Sequence, residues 1–358
     1  MLKDKTILVT GACGTVGSEL VRQLLALPDG PAEVIGIDNN ESELFFLDQC
    51  WLATPNARFF VLDIRDEQDL VNKMHGVDIV FHCAALKHVV LCERSPEQAI
   101  RSNVMGTQNV INAARTCGVE RVIFTSSDKA VNPTNVMGTS KLMGERVMTA
   151  ANASKRAGGP VFASTRFGNV LGSSGSVVPI FHNQIRNGGP VTLTDSEMTR
   201  FVMSISQSVR LVLDSVEIAR GGEVFVTKMS VVRISDLARA MIAELAPVYG
   251  HDPEAIEIVE IGTKPGEKLY EELMSDEEVR RALELEEYFA ILPAFRGMYG
   301  DIDYQYYTKV SDTVDRPYLS SSEPALSEED VRAMLKEYDL LAAPKETGQT
   351  RYWPGDRK

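Results

Sequence analysis

The sequence predicts an α/β protein whose core is a doubly wound parallel sheet, with a smaller interleaved α/β region towards the C-terminus. Short apolar runs rich in β-branched residues alternate with stretches of helical spacing through the first half of the chain. These runs are apolar along their whole length, as in strands that helices cover on both faces. The alternation therefore favours parallel strands joined by helical crossovers.

The predicted elements follow one another in a regular order. The strand candidates are residues 5–11, 32–38, 57–63, 77–83, 120–127 and 160–168. The helical stretches between them include residues 15–27, 93–116 and 138–157. After residue 168 come a Gly/Ser-rich loop, a helix near 205–219, a strand at 223–228 and a helix near 233–246. This change of pattern predicts a second region interleaved with the first.

Length, charge and composition exclude several classes of protein. The chain has 358 residues, 44% of them hydrophobic, which is enough for a full core. The net charge of −13 argues against a nucleic acid or an anionic membrane surface as the main partner, because both would be repelled. No apolar segment suits a signal peptide or a membrane span, so we expect a cytoplasmic protein. The cysteines and histidines lack metal-ligand spacing, so we expect no metal site.

The first predicted turn carries a cofactor signal. Gly11, Gly14 and Gly17 follow the first strand and open a helix that begins at Thr15 and Val16. Bare backbone N–H groups at the positive end of a helix suit a pyrophosphate. A tight strand-to-helix turn without a ligand would use the same glycines, so the motif needs support from its context.

Two further strand ends supply that context. Asp38 ends the second strand, where a carboxylate accepts hydrogen bonds from an adenosine ribose and repels a 2′-phosphate. Asn39 and Asn40 follow, and no arginine is present there to hold such a phosphate. We therefore expect a Rossmann-type site for NAD in preference to NADP. Asp63 and Ile64 follow the third strand and are expected to border the adenine, although a strand-end Asp is equally a turn residue.

The fifth strand leads into the candidate catalytic residues. Ser127, Asp128 and Lys129 stand just past it, at the carboxyl edge where doubly wound folds bind their ligands. Lys141 follows on a predicted helix, with Met137 four residues before it. A thioether cannot pass a proton, so other residues must perform any acid–base work. A surface ion pair is the alternative interpretation of the Asp-Lys dipeptide, and core packing is the alternative for Met137.

These motifs together resemble one enzyme family. The glycine turn joins "HCAALKHV" (82–89), "NVMGTQNV" (103–110), "SSDKAVNPTNVMGTSK" (126–141), "TRFGNVLGSSGSVVPIF" (165–181) and "KPGEKLYEEL" (264–273). Over roughly residues 5–320 the chain resembles the UDP-N-acetylglucosamine 4,6-dehydratases of the extended short-chain dehydrogenase superfamily, which serve capsule, flagellin-glycan and bacillosamine pathways. It is similar to the branch with methionine in place of the YxxxK tyrosine, without that branch's membrane anchor.

The resemblance implies a reaction and roles for the catalytic residues. Hydride passes from C4 of the sugar to a tightly held, recycled NAD, water is lost across C5 and C6, and the hydride returns to C6. Asp128 is implied as the acid at O6 and Lys129 as the base at C5. Ser127 would release the O4 proton, with Lys141 holding the nicotinamide ribose. A Lys129 ammonium would lower the pKa of the adjacent Asp128 carboxyl. Asp128 is therefore an acid at neutral pH only if Lys129 is itself neutral.

The resemblance also implies binding residues. The residues expected to line the cofactor include Ala84, Ala85, Lys87, Asn103 and Lys141. The residues expected to bind the UDP-N-acetylhexosamine are Lys87, Asn169, Arg200 and Glu267. Helix capping is the alternative for Lys87 and Asn103, an exposed salt bridge for Arg200, and a bare Pro-Gly turn for Glu267. Related enzymes also imply a homo-oligomer.

The motifs divide the chain by function. We expect a dinucleotide-binding domain of residues 1–166 with a return segment at 205–228. A nucleotide-sugar-binding region of residues 167–204 and 229–335 and a polar tail at 336–358 complete the division. Two other functions fit the same motifs. A UDP-sugar epimerase acting at C4 or C5 also removes hydride at C4, and catalytically inactive members of the superfamily can be dinucleotide-sensing binding proteins. The facial outcome at C5, retaining or inverting, stays open.

Overall fold

A computed structural model describes residues 1–155, 158–173, 176–262, 266–295 and 302–342. Its strands are β1 (Thr6–Thr10), β2 (Glu33–Asp38), β3 (Ala57–Val61), β4 (Ile79–His82), β5 (Arg121–Ser127), β6 (Val161–Phe167), β7 (Asn169–Val170), β8 (Val191–Leu193), β9 (Thr199–Met203), β10 (Val224–Thr227), β11 (Ser230–Arg233), β12 (Ile258–Glu260), β13 (Glu272–Met274), β14 (Ala282–Leu285), β15 (Tyr288–Ile291), β16 (Lys309–Ser311) and β17 (Tyr318–Leu319).

The α-helices alternate with these strands through the first half of the chain. They are α1 (Thr15–Ala26), α2 (Glu41–Trp51), α3 (Glu67–Met74), α4 (Val89–Arg94), α5 (Pro96–Ala99), α6 (Gly106–Cys117), α7 (Val136–Ala153), α8 (Val177–Arg186), α9 (Ile205–Ile218), α10 (Ile234–Leu245), α11 (Asp276–Val279) and α12 (Glu328–Glu337). Residues 343–358 of the predicted tail lie outside the described residues, as do residues 174–175 of the Gly/Ser-rich loop and 263–265 before Gly266.

The chain forms two compact units. The first contains Met1–Phe167, Ser206–Lys228 and Leu273–Pro317, and the second contains Gly168–Ile205, Met229–Glu272 and Tyr318–Lys358. Residues 273–317 therefore belong to the first unit, whereas the division expected from the sequence put them in the nucleotide-sugar-binding region. That division concerns which ligand each region binds, and it stays a prediction.

The first unit is built on a large, mostly parallel sheet. Its strand order is β16-β14-β15-β10-β6-β5-β4-β1-β2-β3. Strands from β10 through β3 pair in parallel, whereas β15, β14 and β16 add antiparallel pairings at one edge. The order reverses between β1 and β4, and ligands of doubly wound folds bind in the crevice at such a point. The predicted fold class is confirmed.

The central strands are buried because helices cover both faces of the sheet. Ile7, Leu8 and Val9 of β1 are fully buried, although successive residues point to opposite faces. Leu8 belongs to a cluster with Leu70 of α3 and Val110 of α6, whereas α1 contacts β1 and β2. Each such side chain contributes about 2 kcal/mol of apolar burial, so the all-apolar runs become the centre of the sheet.

The predicted helix over residues 93–116 is interrupted. Ser95 leaves helical geometry with φ −138° and ψ 62°, and Pro96 then begins α5 because its missing N–H is tolerated only in a first turn. The chain continues through a π-helix at Ile100–Met105 before α6 begins. The sequence pattern is helical throughout, so the proline is the residue that divides it.

The second unit has its own core. Strands β11, β9 and β7 form a small sheet in that order, and β12 pairs in parallel with β8. Phe181 of α8, Leu237 and Met241 of α10 and Leu335 of α12 pack in one buried cluster. This core supports the loop and strand that carry Asn169 and Arg200.

A buried ion cluster joins three segments of the first unit. The Arg166 side chain on β6 is fully buried and uses all five of its N–H donors. Nε and Nη2 donate to the two carboxylate oxygens of Glu145 at 3.0 and 2.6 Å. Nη1 and Nη2 donate to Glu278 at 3.0 Å each, and Nη1 also donates to the Leu273 carbonyl oxygen at 2.8 Å. The cluster thus ties β6 to α7 and to α11.

The charges of this cluster stabilise one another. Burial by itself would lower the pKa of Arg166, but the Glu145 and Glu278 carboxylates outweigh it and raise that pKa. Burial by itself would raise the pKa of Glu278, but Arg166 and the N–H of Ser275 lower it to about 2. Arg166 and Glu278 therefore stay ionised across the physiological pH range.

Replacing Arg166 with methionine tests the contribution of the cluster. Arg166→Met takes the guanidinium from buried Glu145 and leaves Glu278 with only the more distant Arg281, so we expect the free energy of unfolding to fall by about 3–5 kcal/mol. The measurement is urea unfolding followed by circular dichroism. Arg22→Met is the control because Arg22 is half exposed and pairs with Glu19 at the surface, where about 1 kcal/mol or less is expected. Equal losses in the two variants would contradict the prediction.

Candidate cofactor and catalytic site

The glycine turn packs directly against the end of β4. Gly11 has a φ of +69°, in the region that favours glycine, and a Cβ built on it would stand 2.7 Å from the Ala84 backbone. Gly14 is the N-cap of α1 and contributes no capping side chain. A Cβ on Gly17 would stand 2.1 Å from the Gly11 carbonyl oxygen. The turn therefore leaves the first N–H groups of α1 uncovered by side chains.

A cavity of about 160 Å³ lies beside this turn. The sequence-predicted residues that line it are Gly11, Gly14, Asp38, Asp63, Ile64, Ala84 and Ala85. Thr15, Val16 and Gly17 form the first turn of α1 next to Gly14. The structure thus brings together the ends of β1, β2, β3 and β4, as expected for the carboxyl edge of the sheet.

Asp38 is held by backbone N–H groups. Its Oδ2 accepts from the Cys13 N–H and its Oδ1 from the Asn40 N–H, each at 3.0 Å. Each carboxylate oxygen has a second lone pair, so further acceptance remains chemically open. Burial, reinforced by Asp38 and Glu43, raises the pKa of the neighbouring Cys13 thiol to about 12. The local field around Asp38 is therefore negative.

Asp63 pairs with a neighbouring cation. Arg65 donates through its backbone N–H and its Nε to Asp63 Oδ1 at 2.9 Å, and this pairing lowers the pKa of Asp63. Ile64 is buried, and its carbonyl oxygen accepts from Asn109 Nδ2 at 3.1 Å. The strand end is thus a fixed turn whose apolar residue forms part of the cavity wall.

Ser127, Asp128 and Lys129 form a connected set just past β5. Ser127 Oγ donates to Asp128 Oδ1 at 2.5 Å. Lys129 Nζ donates to Asp128 Oδ2 at 3.0 Å and to Oδ1 at 3.2 Å. The Asp128 side chain is 1% exposed, whereas the Lys129 side chain is 30% exposed. The pair is therefore not the surface ion pair of the alternative interpretation, because its carboxylate is buried.

The start of α7 is built to pack against this set. Asn135 caps α7 by accepting from the Gly138 N–H at 2.8 Å, and Glu93 accepts from the Val136 N–H at 2.6 Å. A Cβ on Gly138 would stand 2.2 Å from the Lys129 carbonyl oxygen. A glycine at this position lets the helix touch the turn that carries Lys129.

Lys141 is buried on the next turn of α7. It is 6% exposed, its Nζ donates to the Thr125 carbonyl oxygen at 2.9 Å, and it lies 4.8 Å from the centre of the Phe124 ring. Burial lowers the pKa of Lys141 to about 8, while Cys83 and Glu145 act in the opposite direction. Lys141 therefore changes charge close to neutral pH.

His82 lies beneath the site at the end of β4. Its ring nitrogens contact Thr10 Oγ1 at 2.7 Å and Thr107 Oγ1 at 3.1 Å. Burial, together with the Lys141 charge, lowers the pKa of His82 to about 3. The ring therefore stays neutral and links β1, β4 and α6 without carrying a charge.

Met137 packs away from solvent. It is 3% exposed and forms a buried cluster with Cys92 and Ala99. It stands one turn before Lys141 on α7, in the position of the family's tyrosine. The observed contacts of this thioether are packing contacts, and its place among the catalytic residues stays a prediction.

Asn103 and Lys87 are not among the described residues that line the cavity beside the glycine turn. Asn103 is 1% exposed in the π-helix; its Nδ2 donates to the Leu86 carbonyl oxygen and to Ser140 Oγ, and its Oδ1 accepts from the Leu86 N–H. It therefore braces the segment after β4 against α7 from behind the cavity. Lys87 is exposed on that segment. Ligand contacts by these two residues stay predictions.

The second unit holds a separate cavity of about 250 Å³. Asn169, Arg200 and Glu267, the remaining predicted substrate residues, all line it. Arg200 is mostly buried and pairs with Glu271 at 3.3 Å, while its Nη1 and Nη2 donate to the carbonyl oxygens of Thr199, Leu269 and Lys268. Arg200 is thus fixed in the wall, not the exposed salt bridge of the alternative interpretation.

Several residues of the site carry no motif signal. Arg166 stands inside the motif at 165–181 and Glu145 lies four residues after the motif at 126–141, yet nothing in the sequence shows that they contact each other across α7 and β6. His82 is an ordinary residue in an apolar strand until its two threonine partners are known. Gly138 carries a usable sequence signal, because a glycine near the start of a helix suggests that another segment packs closely against the helix there.

The cavity fits the dinucleotide that the sequence predicts. A pyrophosphate needs bare N–H groups, and side chains at Gly11 and Gly17 would fill the space where the backbone segments meet. A ribose needs a fixed acceptor, and Asp38 provides one. Within the described ranges, no cluster of three histidine, cysteine or acidic residues is arranged to hold a metal ion. No helix there is both long and apolar enough to cross a bilayer.

Comparison with known proteins identifies a family. A family model described as "Polysaccharide biosynthesis protein" matches residues 7–293. The chain is 47% identical over 339 residues to "Uncharacterized membrane protein MJ1061" of Methanocaldococcus jannaschii, covering 95% of the chain and 97% of that protein. It is 42% identical over 285 residues to "Capsular polysaccharide biosynthesis protein CapD" of Staphylococcus aureus, covering 78% of the chain and 46% of that protein. The chain thus spans about half the length of CapD.

Other similarities point to nucleotide-sugar enzymes. The chain is 38% identical over 353 residues to a "UDP-glucose 4-epimerase" of Rickettsia rickettsii, covering 95% of the chain and 98% of that protein. The X-ray structure of Pen from Bacillus thuringiensis matches with a TM-score of 0.86 and 39% identity, covering 95% and 99%. DesIV of Streptomyces venezuelae, a dTDP-glucose 4,6-dehydratase with NAD and TYD bound, matches with a TM-score of 0.63 and 27% identity, covering 74% and 86%.

The lowered pKa of Lys141 predicts a pH-dependent stability. Between about pH 8 and the ordinary lysine value of 10.5, the unfolded chain keeps a proton that the folded chain has lost. The contribution of Lys141 to the free energy of unfolding therefore rises with pH across this window, by about 3 kcal/mol in total.

The measurement is urea unfolding of the wild type and of Lys141→Met from pH 7 to pH 10.5. We expect the wild type to gain stability relative to the variant as the pH rises. Met148→Leu is the control, because Met148 is a buried uncharged side chain on the same helix. A difference between wild type and Lys141→Met that stays constant with pH would contradict the prediction.

Proposed function

The chain belongs to the polysaccharide biosynthesis protein family, and from this premise we propose that it is a nucleotide-sugar 4,6-dehydratase that converts UDP-N-acetylglucosamine to a UDP-4-keto-6-deoxy-hexosamine with NAD. The observation that carries the proposal is the contact of Ser127, Asp128 and Lys129 at the carboxyl edge of the sheet. Dehydration across C5 and C6 needs an acid and a base that act together, and this set contains both.

The contact geometry suits a paired acid and base. Moving one proton from the Lys129 ammonium to the Asp128 carboxylate, over 3.0 Å, produces a neutral amine and a carboxylic acid. The amine is then a base for the C5 proton, and the acid protonates the departing O6 hydroxyl. Burial of Asp128 favours this neutral form of the pair, because burial disfavours charge.

The remaining proton task falls to Ser127. Its Oγ is hydrogen-bonded to Asp128 at 2.5 Å, and Asp128 already carries a proton in the neutral pair, so the O4 proton passes through the Ser127 hydroxyl to solvent. Solvent later returns one proton to Asp128, after the acid has protonated the departing O6 hydroxyl, and Lys129 returns the proton that it took from C5. Lys141 as an ammonium holds a positive potential beside this route. The cavity at Gly11, Gly14 and Asp38 would hold a nicotinamide dinucleotide, which would supply the acceptor for the C4 hydride and its return to C6. The residues of the chain therefore need only to bind, orient and move protons.

A UDP-sugar epimerase is the second candidate. The specific observation in its favour is the 38% identity to the Rickettsia protein named UDP-glucose 4-epimerase, over nearly the whole of both chains. Reversal at C4 needs acid–base work only at O4, however, and leaves the Asp128–Lys129 pair without a task. The similarity to DesIV, which is named a dTDP-glucose 4,6-dehydratase, supports the dehydratase.

The substrate assignment has separate support. The second-unit cavity contains Asn169, Glu267 and the cation Arg200, and an anionic sugar nucleotide needs positive charge on a protein of net charge −13. The predicted homo-oligomeric state and cytoplasmic location remain predictions from the sequence.

The reaction is tested by mass spectrometry of UDP-N-acetylglucosamine incubated with the purified protein, first without added cofactor and then with NAD. We expect a product lighter by one water, and formation without added NAD would indicate a tightly held cofactor. Asp128→Asn is expected to slow product formation by about 10²-fold or more. Asp29→Asn, at an exposed ion pair with Lys3, is the control and should leave the rate unchanged. An epimer of unchanged mass would support the epimerase, and no reaction would favour the dinucleotide sensor.

The cofactor choice is tested by binding. Among the described residues, those that line the first-unit cavity include the carboxylates Asp38 and Asp63 and no lysine or arginine, so we expect NAD to bind at least about tenfold more tightly than NADP. Asp38→Asn removes the repulsion of a 2′-phosphate and should narrow this ratio by improving NADP binding. Calorimetric titration measures both affinities. Glu41→Gln removes an equal charge from an exposed position outside the cavity and serves as the control. Equal wild-type affinities for the two dinucleotides would overturn the assignment.

A further inference from the structure

Lys141 and Glu145 face the same buried layer from consecutive turns of α7. Lys141 is 6% exposed and Glu145 is 2% exposed. Side chains four residues apart on a helix are neighbours, with Cβ atoms about 5–6 Å apart. The ammonium of Lys141 donates to a neutral acceptor, the Thr125 carbonyl oxygen. A group other than Thr125 must therefore supply the negative charge that stabilises this ammonium.

The groups that surround Lys141 come from three elements. His82 and Cys83 lie at the end of β4, Phe124 and Thr125 lie on β5, and Glu145 lies on α7. His82 is neutral because its pKa is lowered to about 3. Cys83 is a thiol at neutral pH because burial raises its pKa to about 12, although Lys141 and Thr125 act against that shift. Of these described neighbours, Glu145 is the one that carries a negative charge.

Glu145 cannot turn freely to meet a partner. Both of its carboxylate oxygens accept from Arg166, at 3.0 and 2.6 Å. Arg166 is itself fixed by Glu278 and by the Leu273 carbonyl oxygen. Glu278 also pairs with a second cation, Arg281, at 3.8 Å, so Arg166 and Arg281 together offset the two carboxylates. Glu145 is the carboxylate of this cluster that lies one helical turn from the Lys141 ammonium.

We propose that Glu145, clamped by Arg166, is a positioning residue that holds Lys141 as an ammonium against the Thr125 carbonyl oxygen. The proposal rests on the proposed function only for the use made of that ammonium, since Glu145 and Lys141 are buried neighbours on α7 in the protein without substrate. Glu145 touches no reacting atom, so it acts through Lys141. Glu278 contacts the same guanidinium from the other side, and α11 places it away from the helical turn of Lys141.

This arrangement gives a matched pair of variants. Glu145→Gln and Glu278→Gln each remove one carboxylate charge from Arg166 and each leave it one carboxylate partner. Glu278→Gln also affects the contacts of Glu278 with Arg281 and Ser275, so it disturbs the cluster at least as much as Glu145→Gln does. Only Glu145→Gln removes the carboxylate that neighbours Lys141. Glu145→Asp keeps the charge and changes the length of the side chain, which separates charge from shape.

The test is an NMR titration of protein labelled with ¹³C at the lysine ε carbon, with the Lys141 signal identified by its absence from the spectrum of Lys141→Met. We expect the Lys141 midpoint to fall by about one pH unit or more in Glu145→Gln. Glu278→Gln and Glu145→Asp should leave it close to the wild-type value. Equal shifts in both glutamine variants, no shift in Glu145→Gln, or an equal fall in Glu145→Asp would overturn the proposal.

Enzyme kinetics then separates this proposal from the proposed function. If the dehydratase is active, the alkaline limb of its kcat profile should move to lower pH in Glu145→Gln by the same amount as the NMR midpoint, with KM little changed. A wild type without dehydratase activity would defeat the proposed function, while the NMR shift would still support the role of Glu145. An active enzyme in which Glu145→Gln leaves the NMR titration midpoint of Lys141 unchanged would overturn only the role of Glu145.

Discussion

The first unit depends on one buried guanidinium. Arg166 projects from β6 into an apolar layer where an unpaired cation would be strongly destabilising, so it requires partners for each of its five donors. Those partners come from α7 and from the segment that includes Leu273 and Glu278. Satisfying a single side chain therefore fixes the rotation of α7 and brings a distant part of the chain to the sheet. The residues that α7 presents to the site share the orientation that this contact helps to fix, together with the packing of Gly138 against Lys129.

The charges around the site follow from the same constraint. Glu145 and Glu278 share Arg166, and Glu278 also pairs with Arg281, while the buried ammonium of Lys141 lies one helical turn from Glu145. Burial weakens the hold of Lys141 on its proton, and the neighbouring carboxylate restores part of it. A lysine whose pKa lies near 8 changes its charge in response to small changes in pH or in the neighbouring charges. This property suits a site where protons move near neutral pH.

The sequence was sufficient for the sheet and for the cofactor cavity, because both depend on local patterns. Apolar runs become buried strands, and the residues just after each strand meet at one edge, so Gly11, Asp38, Ile64 and Ala84 converge as predicted. The break at Pro96 was missed because helical spacing continues across it. Glu145 and Arg166 were missed for a different reason. Their pairing depends on which face of α7 packs against β6, and the spacing of residues in a single sequence does not show which face that is.

Met137 shows why the loss of a phenol need not end the chemistry. Its thioether is buried with Cys92 and Ala99, so it contributes to the packing of α7 against α4 and α5 and cannot carry a proton. In the proposed dehydratase the O4 proton would leave through another hydroxyl, and Ser127 is hydrogen-bonded to the Asp128 carboxylate. The same carboxylate contacts Lys129, so one buried group orients both side chains assigned to proton transfer. The Ser127 hydroxyl, held by Asp128, would then take the place of the tyrosine phenol.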